Sequence, residues 1–175
     1  RHGKTAGNLT GRYIGATDEP LCSQGIAELQ TRAYPAVQRV FVSPMKRCKQ
    51  TASLLYPDVK QIVVPDLREC DFGLFEGKNY AELNGRADYQ AWIDSGGELP
   101  FPEGESRKTF AARWVAAFRQ AMKTVTEEDV AFVVHGGTIM AIMEACAKPP
   151  QNYFCWQVKC GEGFALETDG SWYPL

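Results

Sequence analysis

Apolar residues fall along the chain in two alternating patterns. Val40-Phe41-Val42, Ile62-Val63-Val64 and Val130 to Val134 are short β-branched runs, bounded by Ser-Pro, Pro and His-Gly-Gly. Runs of that length between turn residues predict strands buried on both faces. The segments between them repeat with helical spacing and predict helices from Ser23 to just before Pro35, from about Met45 to Tyr56, and from about Glu105 to Val125. In the last of these, Phe110, Trp114, Phe118 and Met122 recur every four residues, a stripe read as core packing rather than a ligand platform. A further helix is expected just after Gly137, carrying Ile139, Ile142 and Met143 inward. Strands alternating with helices predict an α/β three-layer sandwich, a largely parallel sheet flanked by helices.

The tail follows a different pattern. Gly163 to Glu167, the turn Asp169-Gly170 and Trp172-Tyr173 predict a hairpin. Residues from about 70 to 104 are rich in Gly and Pro and read as an irregular lid insertion over one end of the sheet, where open α/β folds place ligands. Without a repeat or a long linker, the 175 residues read as one domain, 1–175.

Composition narrows the function. Nineteen Lys and Arg against 21 Asp and Glu leave a net charge of −2, so neither nucleic acid nor an anionic membrane is an expected partner. Apolar runs such as Ile139 to Met143 are too short to span a bilayer. Six cysteines without a C-x-x-C pair give no zinc signature and read as mostly buried thiols of a reduced, cytoplasmic protein. Only two histidines, His2 and His135, are present, which excludes a three-histidine metal site.

Four short elements carry chemistry. Arg1-His2-Gly3-Lys4-Thr5-Ala6-Gly7-Asn8 joins a planar cationic donor, an imidazole, a glycine and neutral donors, a set suited to an oxyanion. Ser43-Pro44-Met45-Lys46-Arg47 places Arg47 in the first turn of a helix, where the helix dipole disfavours a cation unless an anion is near. Val134-His135-Gly136-Gly137 puts a histidine at the end of a buried strand, ahead of a helix N-terminus that favours negative charge. The fourth, Leu67 to Gly77, follows a strand and offers Glu69, Asp71 and Glu76 as carboxyl groups able to protonate a leaving oxygen; spacing does not choose among them.

Together these motifs resemble the histidine phosphatase superfamily, in the branch shared with cofactor-dependent phosphoglycerate mutases. The resemblance spans R-H-G-x-T-x-x-N, the Gly15 to Gly25 stretch, S-P-x-x-R-x-x-Q-T-A, L-x-E-x-D-F-G-x-x-E-G, Gly104-Glu105-Ser106 and the late H-G-G. It implies a phosphoglycerate mutase-like fold, His2 as the nucleophile that becomes phosphohistidine, and Glu69 as general acid and then base. It further implies that Arg1, Arg47 and His135 clamp the phosphoryl oxygens with Thr5, Asn8 and the Gly136 backbone. No metal and no other cofactor is required, so activity should resist chelators. The two histidines then need opposite protonation states, and their neighbours are expected to push the two pKa values apart. Family members carry a hydrophobic strand directly before Arg-His-Gly, so a first strand upstream of residue 1 is expected.

The implied reaction is metal-independent hydrolysis of a small phosphorylated metabolite. Gly11-Arg12-Tyr13-Ile14-Gly15, Thr17-Asp18 and the Gly-Glu-Ser motif look most like α-ribazole phosphatases, which act late in assembling the cobalamin nucleotide loop. Broad-specificity and sugar-phosphate phosphatases share much of this pattern, and phosphoglycerate mutase and a noncatalytic phosphate-binding module are the remaining alternatives. The insertion carries Lys78 and Arg86 against Phe72, Phe75, Tyr80, Tyr89 and Trp92, a cover more aromatic than basic that favours a less acidic substrate. The sequence carries no signal of oligomeric state.

Overall fold

The computed structural model describes residues 1–175. In chain order its elements are α1 (Ala6–Leu9), α2 (Ser23–Gln30), β1 (Arg39–Val42), α3 (Lys46–Leu55), β2 (Gln61–Val63), α4 (Tyr80–Leu83), α5 (Ala87–Asp94), α6 (Arg107–Met122), β3 (Val130–Val133), α7 (Gly136–Cys146), β4 (Phe164–Leu166) and β5 (Trp172–Pro174). The three apolar runs form one parallel sheet in the order β2-β1-β3, with Phe41 opposite both Ile62 and Phe132. No helix is long and apolar enough to cross a membrane.

β1 is covered on both faces, which is why its residues read as continuous rather than alternating. Val40 and Val42 meet Cys48 and Ala52 of α3 on one side. On the other, Phe41 stacks on Phe132 at 4.9 Å, and Phe118 of α6 reaches Phe132 at the same distance. Helices thus flank a parallel sheet, as the alternation of patterns predicts. β4 and β5 pair antiparallel across the Asp169-Gly170 turn, with Gly170 at φ +94°, and pack Phe164 and Trp172 against Trp156.

Three expectations need correction. β2, read as buried on both faces, lies at the edge of the sheet with Val63 48% exposed. The insertion is less irregular than its glycines implied, because it contains α4 and α5. Asn79 and Glu82 form a reciprocal cap that starts α4, a local signal outweighed by the surrounding glycines when composition alone is read. The cysteines are all free, but only Cys48 and Cys70 are buried, while Cys155 is exposed. Burial of a thiol depends on which face of its element it occupies, and spacing does not report that.

The insertion is fastened to the body through its aromatic residues. Phe75, Tyr89 and Phe101 share one core with Phe110 and Trp114 of α6 and with Tyr153. Gly73, at φ +52°, lets the backbone approach so closely that a Cβ there would lie 2.1 Å from the Pro102 carbonyl oxygen. The Leu74 N–H donates to that same carbonyl at 2.8 Å.

Candidate active site

All three parallel strands deliver their C-terminal ends to one edge, and the candidate residues gather there. Ser43 follows β1 and His135 follows β3. The His2 N–H donates to the Val134 carbonyl at 2.9 Å, which docks the Arg1-His2 segment beside the end of β3. The Gly3 N–H donates to the Thr51 hydroxyl at 3.0 Å, and Thr51 in turn donates to the Arg47 carbonyl at 2.7 Å, tying that segment to α3. The His2 and His135 rings stand 5.2 Å apart, edge to face.

Each ring is held by one hydrogen bond that fixes its orientation. Nδ1 of His2 lies 2.7 Å from the Gly3 carbonyl oxygen. A carbonyl can only accept, so Nδ1 carries the proton and Nε2 keeps its lone pair. Nε2 of His135 lies 2.8 Å from the Ser43 hydroxyl, and its Nδ1 is 3.6 Å from a Glu69 carboxylate oxygen. The carboxylate favours the proton on Nδ1, leaving Nε2 to accept from Ser43.

Arg47 is wholly buried, which removes the reading of it as a solvated helix-surface cation. Its guanidinium donates to the carbonyls of Thr17 at 2.9 Å, Ile14 at 3.2 Å and Gly15 at 3.1 Å. Arg1 donates to the Val158 carbonyl at 2.8 Å. In both, Nε is buried without a partner. Carbonyls orient a guanidinium without cancelling its charge, so two net positive charges converge on the histidine pair.

Those charges act on both rings alike. Burial first, then Arg47, hold the His2 pKa well below the ordinary imidazole value. Burial, then His2 and Arg47, do the same to His135. The two values therefore move in the same direction, contrary to the expectation that neighbours separate them. The distinction between the rings lies in their hydrogen-bond partners. Burial raises the Glu69 carboxyl above its usual range and pushes the Cys48 thiol, 3.6 Å from His135, up to about 12.

A cavity of about 260 Å³ opens over this edge, walled by Arg1, His2, Asn8, Glu69 and Gly136. Glu69 is the one carboxyl of the three candidates that reaches it. Asp71 is exposed and accepts from the Gly73 N–H, while Glu76 accepts from the Gly15 and Thr17 N–H groups. Asn8 accepts from the Thr5 N–H and hydroxyl through its amide oxygen, which turns its NH₂ group toward other partners. Thr5 lies behind it rather than in the cavity wall: fully buried, it caps α1, so any contribution runs through Asn8. Gly136 opens α7, whose first turn has no side-chain cap, and a Cβ there would come within 3.3 Å of the Arg1 guanidinium carbon.

The remaining wall is aromatic, with Tyr13, Phe72, Trp92, Phe101, Trp114 and Tyr153 among its members. Phe110 and Trp114, read from their spacing as core, are both core and wall. Sequence reasoning missed Ser43 as the partner of His135, and Arg12 and Arg107 as cations in the wall. Nothing in local spacing signals any of these three, since each acquires its place through contacts distant in sequence.

The model of the histidine phosphatase superfamily (branch 1) matches residues 1–170. The chain belongs to that superfamily. It is similar to the adenosylcobalamin/alpha-ribazole phosphatase of Salmonella typhimurium, 27% identical over 196 residues, 99% of this chain and 96% of the relative. It is also similar to the metal-independent phosphoserine phosphatase of Arabidopsis thaliana, 34% identical over 156 residues, 81% of this chain and 64% of the relative. Among solved structures, a phosphoglycerate mutase from Thermus thermophilus superposes with a TM-score of 0.74 at 26% identity, over 99% of this chain and 93% of the other. This histidine phosphatase therefore has the phosphoglycerate mutase-like fold and is a phosphatase, while relatives of different named activities share its frame.

Proposed function

We propose that the protein hydrolyses phosphomonoesters through a phosphohistidine on His2, without a metal ion. The observation that carries this reading is the pair of arginines, buried Arg47 and half-buried Arg1, held by carbonyls alone beside a histidine whose Nε2 is free. In the first step the Nε2 lone pair attacks phosphorus, the P–O bond to the leaving group breaks, and Glu69 gives its proton to the leaving oxygen. In the second, Glu69 takes a proton from water as the water oxygen attacks phosphorus, and the P–N bond breaks to return His2 and release phosphate. Phosphoryl transfer gains mainly from positioning and charge stabilisation, which Arg1, Arg47, His135, the Asn8 amide and the uncapped start of α7 supply.

The aromatic wall favours a flat leaving group, and α-ribazole 5′-phosphate is the first substrate to test. The Salmonella relative's name and the stacking area of Trp92, Phe72 and Tyr153 support that choice. A phosphomonoester panel with single-turnover trapping tests it. The expected result is a labelled protein whose label is stable in alkali and lost in acid, formed by the native chain and not by His2→Ala, with turnover retained in EDTA. Normal turnover by His2→Ala rules out the mechanism, and efficient isomerisation of phosphoglycerate would make the protein a mutase.

A further inference from the structure

Four arginines line the cavity or lie buried beside it, and they divide by the chemistry of their partners. Arg1 and Arg47 are held by carbonyl oxygens and keep their charge. Arg12 and Arg107 are paired with carboxylates, Arg12 donating to the Gly77 carbonyl as well. Arg12 meets both oxygens of Glu82, at 2.6 and 3.2 Å. Arg107 meets Glu98 at 2.6 Å and Glu144 at 3.5 Å, so one guanidinium faces two carboxylates and the local balance is −1. Its plane lies over the Tyr153 ring at 4.2 Å and near Phe154, which is 55% exposed at the mouth. Arg107 also occupies the first position of α6, where the helix dipole works against a cation and the two carboxylates offset that cost.

We propose that Arg107, with Glu98 and Glu144, is a specificity-determining element. It offers a flat face for a planar, uncharged leaving group and turns away a leaving group carrying its own carboxylate. The inference rests on the reading that the cavity takes a phosphomonoester, and it names which class. A carboxylate entering beside Tyr153 meets Arg107 already paired, with Glu98 and Glu144 adding like charge that solvent partly screens at 68% and 41% exposure, and like-charge juxtaposition disfavours it. A ring without charge gains stacking on the guanidinium and the aromatic side chains.

The test uses two ligands of one shape, 4-carbamoylphenyl phosphate and 4-carboxyphenyl phosphate, bound to the His2→Ala protein at low salt and measured by calorimetry. The carbamoyl compound is expected to bind about tenfold more tightly or better. Adding Glu98→Gln should shrink that ratio to about threefold or less, because it frees part of the Arg107 charge while an oxygen acceptor remains. Glu144→Gln serves as a second variant, retaining the oxygen that accepts from the Tyr153 N–H. Adding Arg107→Gln to either should cancel the gain. Equal binding of the two ligands, or a ratio untouched by both carboxylate variants, overturns the proposal. Hydrolysis of p-nitrophenyl phosphate by the native chain is scored separately. The expected ratio in the His2→Ala protein, with no hydrolysis by the native chain, sinks the catalytic reading and leaves the selectivity standing.

Discussion

The Ser43 hydroxyl stands 2.8 Å from Nε2 of His135, and both side chains are shielded from solvent. The two residues follow neighbouring parallel strands, β1 and β3, so the sheet itself sets their separation. Ser43→Ala leaves a buried ring nitrogen without a partner, which costs about 1–3 kcal/mol. It also frees the ring to turn away from the phosphoryl site, and a small misplacement costs about 100-fold in rate. Steady-state kinetics should show the loss in kcat rather than KM. An unchanged kcat would remove Ser43 from any part in catalysis.

Both histidines have folded-state pKa values below the ordinary 6.5. The folded protein then binds fewer protons than the unfolded chain. The stability they contribute is present above about pH 6.5 and is lost as the pH falls through their folded values. Glu69, raised above 4.5, has the opposite sign: its contribution is present below about pH 4.5 and is lost as the pH rises through its folded value. Thermal melts from about pH 7 to about pH 5 should show a falling Tm, and His135→Gln should flatten that slope. A Tm indifferent to pH in this window contradicts the assignment of two buried neutral rings.

The two glycines after His135 make separable demands. A Cβ on Gly137 would sit 2.8 Å from the Trp114 ring, which is buried and donates to the Arg68 carbonyl at 2.7 Å. Gly137→Ala should therefore cost about 1–3 kcal/mol by overpacking. At Gly136 the Cβ would meet only the movable Arg1 guanidinium, at 3.3 Å. Gly136→Ala should keep its Tm and lose turnover. Melts and kinetics that rank the two variants the other way would show that Arg1 is not seated against α7.

Glu69→Gln removes the proton donor and keeps the shape. Its loss, about 10²–10⁴-fold, should be larger on alkyl phosphates than on p-nitrophenyl phosphate, whose leaving oxygen needs no proton. Equal losses on both substrates would send the search for the acid elsewhere.

Glu76 reaches the site without touching it. Its carboxylate accepts from the N–H groups of Gly15 and Thr17, and the carbonyls of those same residues hold Arg47. Glu76→Ala should raise KM for small phosphomonoesters by about tenfold, as a loosened cradle lets the guanidinium drift. A KM that does not move would mean that the loop keeps its shape unaided.

What the sequence made legible is what strand ends and helix starts encode locally. His135-Gly136-Gly137 and Ser43-Pro44 mark the ends of two apolar strands, and the strands proved to be parallel and adjacent. Spacing alone did not choose Glu69 over Asp71 and Glu76, although the family resemblance did, because the choice depends on which carboxyl the turn after Leu67 aims at His135. The shared direction of the two imidazole shifts was equally hidden: it arises from burial and from guanidinium charges whose partners lie tens of residues away. Arg12 and Arg107 look like Arg1 and Arg47 on paper, and only their partners tell them apart.

The strap formed by residues 158 to 163 has a consequence in time. Arg1 is gripped by the carbonyls of Val158 and Glu162, and the Gly161 N–H returns to the Arg1 carbonyl at 3.0 Å. The proposed nucleophile, His2, follows Arg1 directly, and the carbonyl that fastens Arg1 lies 157 residues downstream. During synthesis that histidine must wait, unseated, until the strap has been made. A nascent chain stalled before Val158 should therefore be catalytically silent however well its sheet has formed.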